Sequence, residues 1–133
     1  MSPNGPSSFG FPVVDLPASA TSCPEAAIKF LVGQLVESGR LPAQEADRVT
    51  GQILHRELQG STAVGQGIAL PHSKSDVVGE VLGIVGKSAA PVTWPDALDK
   101  EPVRVICLLV TPALDPAGSL RALETVARKI RGM

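Results

Sequence analysis

The segment VRVICLLV, residues 103–110, is apolar throughout except for Arg104. A strand with one face in water alternates apolar and polar side chains; a run without alternation is covered on both faces. Helical patterns elsewhere in the chain supply that cover. Ala27, Phe30, Leu31, Val32, Leu35 and Val36 recur at helical spacing, with Ser22 or Thr21 as candidate caps, Glu25 in the first turn and Gly39 as the stop. A second helix is expected over Ala43 to Leu58, with Ala46, Val49, Ile53 and Leu54 on one stripe. A third follows the helix-start punctuation of DPAGS, with Leu120, Leu123, Val126, Ala127 and Ile130 aligned. GIAL (67–70) and VLGIVGKS (81–88) are further strand candidates, and Pro71, lacking an N–H, is expected to end the ladder of the first. The order helix, helix, strand, strand, strand, helix defines an α/β layered domain with helices over a small sheet.

At 133 residues the chain fits one domain, and 44% hydrophobic against 19% charged residues indicates a folded core. Its aromatics are Phe9, Phe11, Phe30 and Trp94, so that core is aliphatic. Residues 1–20, rich in Pro, Gly and Ser, are expected to be a disordered or extended leader, with the folded domain at 21–133. A formal net charge of −1 argues against a nucleic-acid surface. The basic group Arg121, Arg128, Lys129 and Arg131 is accounted for as a solvated helix end, where cations suit the dipole. Cys23 and Cys107 have neither metal-ligand nor redox spacing, and Cys107 suits a small core residue. No apolar run reaches the roughly 18 residues of a membrane span, and the N-terminus lacks a basic region leading into an apolar one. The expectation is a cytoplasmic protein without membrane insertion.

Within GQGIALPHSKSD (65–76) a histidine, His72, follows a proline at the end of an apolar run. A lone histidine there is ordinarily a surface or capping residue. Its neighbours change the balance: Ser61 and Thr62 one loop upstream, Ser73 and Ser75 directly after, and Arg56 opening RELQGST. Together they offer a nucleophile, hydroxyl and backbone donors, and a bidentate cation. A neutral imidazole is a competent nucleophile at pH 7. Moving a phosphoryl group between two histidines chiefly needs positioning and donors for its oxygens.

HRELQGSTAVGQGIALPHS, followed by APVTWPDALDKEPVRVICLLVTP, resembles the enzyme IIA domains of the fructose–mannitol class of the sugar phosphotransferase system, and among them the nitrogen-regulatory IIA proteins. The pattern is met by Arg56, Glu57, Ser61, Thr62, Gly65, Gly67, Pro71 and His72, and the likeness covers about residues 24 to 131. It implies a three-layer sandwich, a small mixed β-sheet flanked by helices, with the histidine exposed at a strand end. It implies that His72 receives phosphate through Nε2 from a histidine-containing phosphocarrier protein, with Arg56, Ser61, Thr62, Ser73 and Ser119 around the phosphate. A IIB domain or regulatory protein targets would be the onward partners. No metal or cofactor is called for.

The likeness has two departures. Many members carry a second histidine at the start of the last helix, where this chain has Ser119, which cannot hold a positive charge. The family also continues through a further short segment beyond the position of Met133. Two function classes follow: a phosphotransferase component with a transient phosphohistidine, or a IIA-fold binding module that takes no phosphate. His55 is expected as a solvated helix residue, Trp94 as a cover over one end of the core, and Asp96 and Asp99 as turn residues. Asp76 either orients the imidazole or repels phosphate.

Overall fold

A computed structural model describes residues 11–60, 62–65, 67–94 and 102–131, without the side chains of residues 64, 65, 130 and 131. Strand β1 (Val13–Asp15) leads through a 3₁₀ turn to helix α1 (Pro24–Glu37) and, after a second 3₁₀ turn at Ala43–Glu45, to α2 (Ala46–Leu58). Strands β2 (Ala63–Gly65), β3 (Ile68–Ala69), β4 (His72–Ser75), β5 (Leu82–Val92) and β6 (Val103–Pro112) follow, and α3 (Pro116–Arg131) closes the order. The sheet runs β1-β5-β6-β3-β2, with β4 also on β6. It is mixed: β1 is parallel to β5, β3 and β4 are parallel to β6, and β5 is antiparallel to β6.

The apolar run of β6 is buried on both faces. Ile106, Leu108 and Val110 pack with Ile28, Leu31 and Leu35 of α1 and Val49 and Ile53 of α2. Cys107 and Leu109, one residue out of phase, pack with Ile68, Leu70, Val85 and Val126 under α3. Each of these aliphatic side chains contributes about 1.5–3 kcal/mol by leaving water, and period-two alternation divides them between the two helical layers. This is the expected three-layer α/β sandwich.

Helix α1 stops where expected. Gly39 takes φ +78°, its N–H reaches Val36 O, and the N–H of Arg40 reaches back to Leu35 O. Its start differs. Cys23, not Ser22 or Thr21, is the N-cap, without a side-chain cap bond, and Pro24 occupies the first turn. The hydroxyl of Thr21 instead donates to Ala18 O. The sheet also begins earlier than the domain boundary expected at residue 21: β1 pairs with Val85–Lys87, and Leu16 and Ala20 are buried. Leu120, placed on the core stripe of α3, is 58% exposed.

The ladder of β3 breaks before Pro71, as expected, but it resumes directly after the proline as β4. Ile68 and Ala69 face Val105 and Ile106, and His72 to Ser75 face Leu109 to Pro112, one register on both sides of the proline. Pro71 has no N–H to give, so a rung is skipped, but its carbonyl accepts from Leu109 N at 3.0 Å. His72 is therefore the first residue of a resumed strand.

Candidate functional site

In β4 the exposure alternates along His72, Ser73, Lys74 and Ser75, with the two serines buried. His72 lies opposite Leu109, on the α3 face; Ser73 lies opposite Val110, on the α1–α2 face. Residue parity in the strand thus sends the two side chains to opposite sides of the sheet. His72 enters an open cleft of about 280 Å³ walled by Arg56 at the end of α2, by Thr62 and Leu70, and by Leu123, Glu124 and Ala127 of α3. At about 30 Å³ per water, a phosphoryl group fits there with solvent to spare.

The ring of His72 is oriented from behind: Nδ1 lies 2.8 Å from the carbonyl oxygen of Leu70. A carbonyl only accepts, so in the neutral ring Nδ1 carries the proton and Nε2 keeps a free lone pair. Arg56 donates through Nη1 to Gly60 O at 2.8 Å, and the rest of its guanidinium fork remains for an anion in the cleft. Thr62 is 5% exposed, and its hydroxyl and amide N–H both donate to the carboxylate of Glu57, the amide at 3.3 Å.

Of the six residues expected around a phosphate, the structure brings His72, Arg56 and Thr62 together. Ser73 does not reach the cleft; its Oγ is buried on the other face with no hydrogen-bond partner among the described residues. Ser119 is 3% exposed in the first turn of α3, and its hydroxyl donates to Asp115 O at 2.8 Å, with Pro112 O at 3.3 Å. That hydroxyl is occupied with joining α3 to β6. Ser61, Asp96 and Asp99 lie outside the described residues. Asp76 neither orients nor faces the imidazole; it meets Arg48 of α2 at 3.4 Å in an exposed ion pair. His55 is exposed and contacts Gln59 on its own helix. Trp94 is 4% exposed, covers one end of the core, and donates Nε1–H to Glu57 at 3.1 Å.

Sequence reasoning gave no role to Leu70, Glu57 or Glu124. The carbonyl of Leu70 leaves no trace in residue identity. Glu57 stands inside the matched motif beside Arg56, which is a usable signal. Glu124 lines the cleft only because α3 packs on the sheet over β6, and nothing in its own segment announces that. No group of three or more His, Cys, Asp or Glu side chains able to hold a metal occurs among the described residues, and no described helix is long and apolar enough to cross a membrane.

The fold and cleft define a three-layer α/β domain that presents one histidine, its Nδ1 committed to a backbone carbonyl, in an open cleft shared with an arginine. The chain belongs to the family described as phosphoenolpyruvate-dependent sugar phosphotransferase system, EIIA 2, which matches residues 14–132. It is 32% identical over 120 residues to a nitrogen regulatory protein of Bradyrhizobium diazoefficiens, covering 90% of this chain and 76% of that one. It is 31% identical over 106 residues to the PTS system fructose-specific EIIA component of Haloferax volcanii, covering 80% and 67%. The crystal structure of nitrogen regulatory protein IIA-Ntr from Neisseria meningitidis superposes with a TM-score of 0.74 at 26% identity, covering 90% of this chain and 77% of that one.

Proposed function

We propose that this protein is a cytoplasmic phosphohistidine carrier whose His72 accepts a phosphoryl group from a histidine-containing phosphocarrier protein. The observation that carries this is the Nδ1 contact of His72 with Leu70 O at 2.8 Å, which leaves Nε2 free in the cleft beside Arg56. In the transfer, the Nε2 lone pair forms the new N–P bond as the N–P bond to the donor imidazole breaks, and that bonding pair returns to the donor ring. The proton stays on Nδ1, donated to Leu70 O, which steadies the charge the ring gains. Arg56 places its remaining donors against the phosphoryl oxygens.

A regulatory role is favoured by the nitrogen regulatory relatives, whose likeness covers 90% of the chain. Phosphorylation adds roughly −1.5 to −2 charges to the cleft mouth, enough to alter which target proteins dock there. Onward transfer to a IIB domain is the transport form of the same chemistry. A second reading, a IIA-fold binding module that takes no phosphate, draws on the carboxylate of Glu124 in the cleft and on Ser119 being turned away from it.

Incubation with the phosphocarrier and its phosphorylating enzyme decides between them. A phosphoprotein stable to base, labile to acid and lost in His72→Ala is expected. No incorporation, where a competent IIA domain is labelled in parallel, selects the binding module.

A further inference from the structure

The carboxylate of Glu57 lies among three donors from two other segments. Its Oε1 accepts the hydroxyl of Thr62, and its Oε2 accepts both the amide N–H of Thr62 at 3.3 Å and the indole N–H of Trp94 at 3.1 Å. Thr62 begins the β2–β3 hairpin, whose Leu70 carbonyl orients His72; Leu70 N in turn donates to Thr62 O at 3.0 Å. The adjacent residue on α2 is Arg56, whose guanidinium is held by Gly60 O rather than by its neighbour's carboxylate. One side chain therefore ties together the segment carrying the arginine, the segment orienting the histidine, and the buried tryptophan.

We propose that Glu57 is a positioning residue for phosphoryl transfer: its carboxylate clasps Thr62 and Trp94 to the end of α2 and so sets Arg56 against His72. This rests on the carrier function proposed above. The carboxylate is suited to it because it accepts on both oxygens and offers no proton. It also fixes what Thr62 does. A hydroxyl has a single proton, and that proton is given to Glu57, so Thr62 supports the cleft wall rather than donating to phosphate. Neutralising Arg56 by direct pairing would weaken its hold on a phosphoryl group; the carboxylate of Glu57 is instead engaged by Thr62 and Trp94.

The test uses Glu57→Gln, which keeps the size of the side chain but turns an amide NH₂ toward donors. Trp94 is the sole tryptophan, so its emission reports the clasp directly. Expected in Glu57→Gln are a red-shifted Trp94 emission and a phosphoryl-transfer kcat lowered roughly tenfold, the scale of a small misplacement, with KM for the phosphocarrier unchanged. Trp94→Phe, which keeps the ring and drops the N–H, should lower kcat by a smaller factor and serves if Glu57→Gln fails to fold. Adding Thr62→Val to Glu57→Gln should cost little more, because both break one clasp. Unchanged emission in Glu57→Gln, or shifted emission with unchanged kcat, overturns the proposal. If the parent protein takes no phosphate at all, the carrier function falls and this role falls with it; a normal parent and an equally fast Glu57→Gln remove this role alone.

Discussion

Ser119→Ala separates a structural hydroxyl from a phosphate ligand. The Oγ of Ser119 lies within reach of Asp115 O and Pro112 O, but it has one proton to give, so one bond is lost. Neither carbonyl is orphaned by the change. Asp115 O still accepts Ser119 N at 2.9 Å, and Pro112 O still accepts Asp115 N at 3.2 Å. The loss is therefore that of an ordinary net hydrogen bond, about 1 kcal/mol, reduced by a few tenths because alanine is the better helix former. For a chain of this length it corresponds to a fall of about 2–3 °C in Tm. Thermal unfolding by circular dichroism and single-turnover transfer from the phosphocarrier, measured on one preparation, should show the lower Tm and an unaltered rate. A rate falling about tenfold with an unmoved Tm would place the hydroxyl on the phosphate after all, and the reasoning from its two carbonyl partners would be wrong.

Arg56→Ala should slow transfer by about a hundredfold, the usual cost of one charged donor to a reacting oxyanion. Its unfolding midpoint should move by no more than about 0.5 kcal/mol, since the lost bond to Gly60 O is exposed; equal transfer rates would remove Arg56 from the site. Burial pushes the Cys107 thiol from 9.0 up to about 12, while Cys23 is partly exposed. A thiol reagent at pH 8 should therefore label Cys23 in the folded protein and Cys107 only after unfolding. Because the folded state holds the Cys107 proton more tightly, that contribution to stability is complete below pH 9 and is lost as pH rises toward 12. Denaturant midpoints for parent and Cys107→Ala should draw together across that window.

What could be read from the sequence follows how local each signal is. The two-sided burial of β6 and the stripes of α1 and α2 are written in periodicity, and the structure keeps them. Strand β1 is not, because Val13–Asp15 is three residues long and its partner β5 lies about seventy residues away. Strand β4 reads HSKS, a polar segment with little strand propensity, and is held as a strand by its register on β6. That omission carries into the site. With Pro71 taken as a stop, Ser73 reads as a loop neighbour of His72; with the strand resumed, it must face the other layer. Arg56, Thr62 and His72 were legible through a motif, whereas Glu124 depends on how α3 crosses the sheet. Leu120 shows the same limit: helical spacing gives a stripe but not where the stripe leaves the core.

Strand β6 sits between β5 on one side and β3 and β4 on the other, yet it is made after all of them. On the ribosome β3 and β4 have no neighbour on that side until residue 112 has emerged. Delay at that stage leaves short unpaired segments exposed to chance association. The rung that sets His72 beside Leu109 is thus among the last to close. A chain able to receive phosphate has, by that fact, finished synthesising and seating its middle strand, so labelling doubles as a check on complete folding.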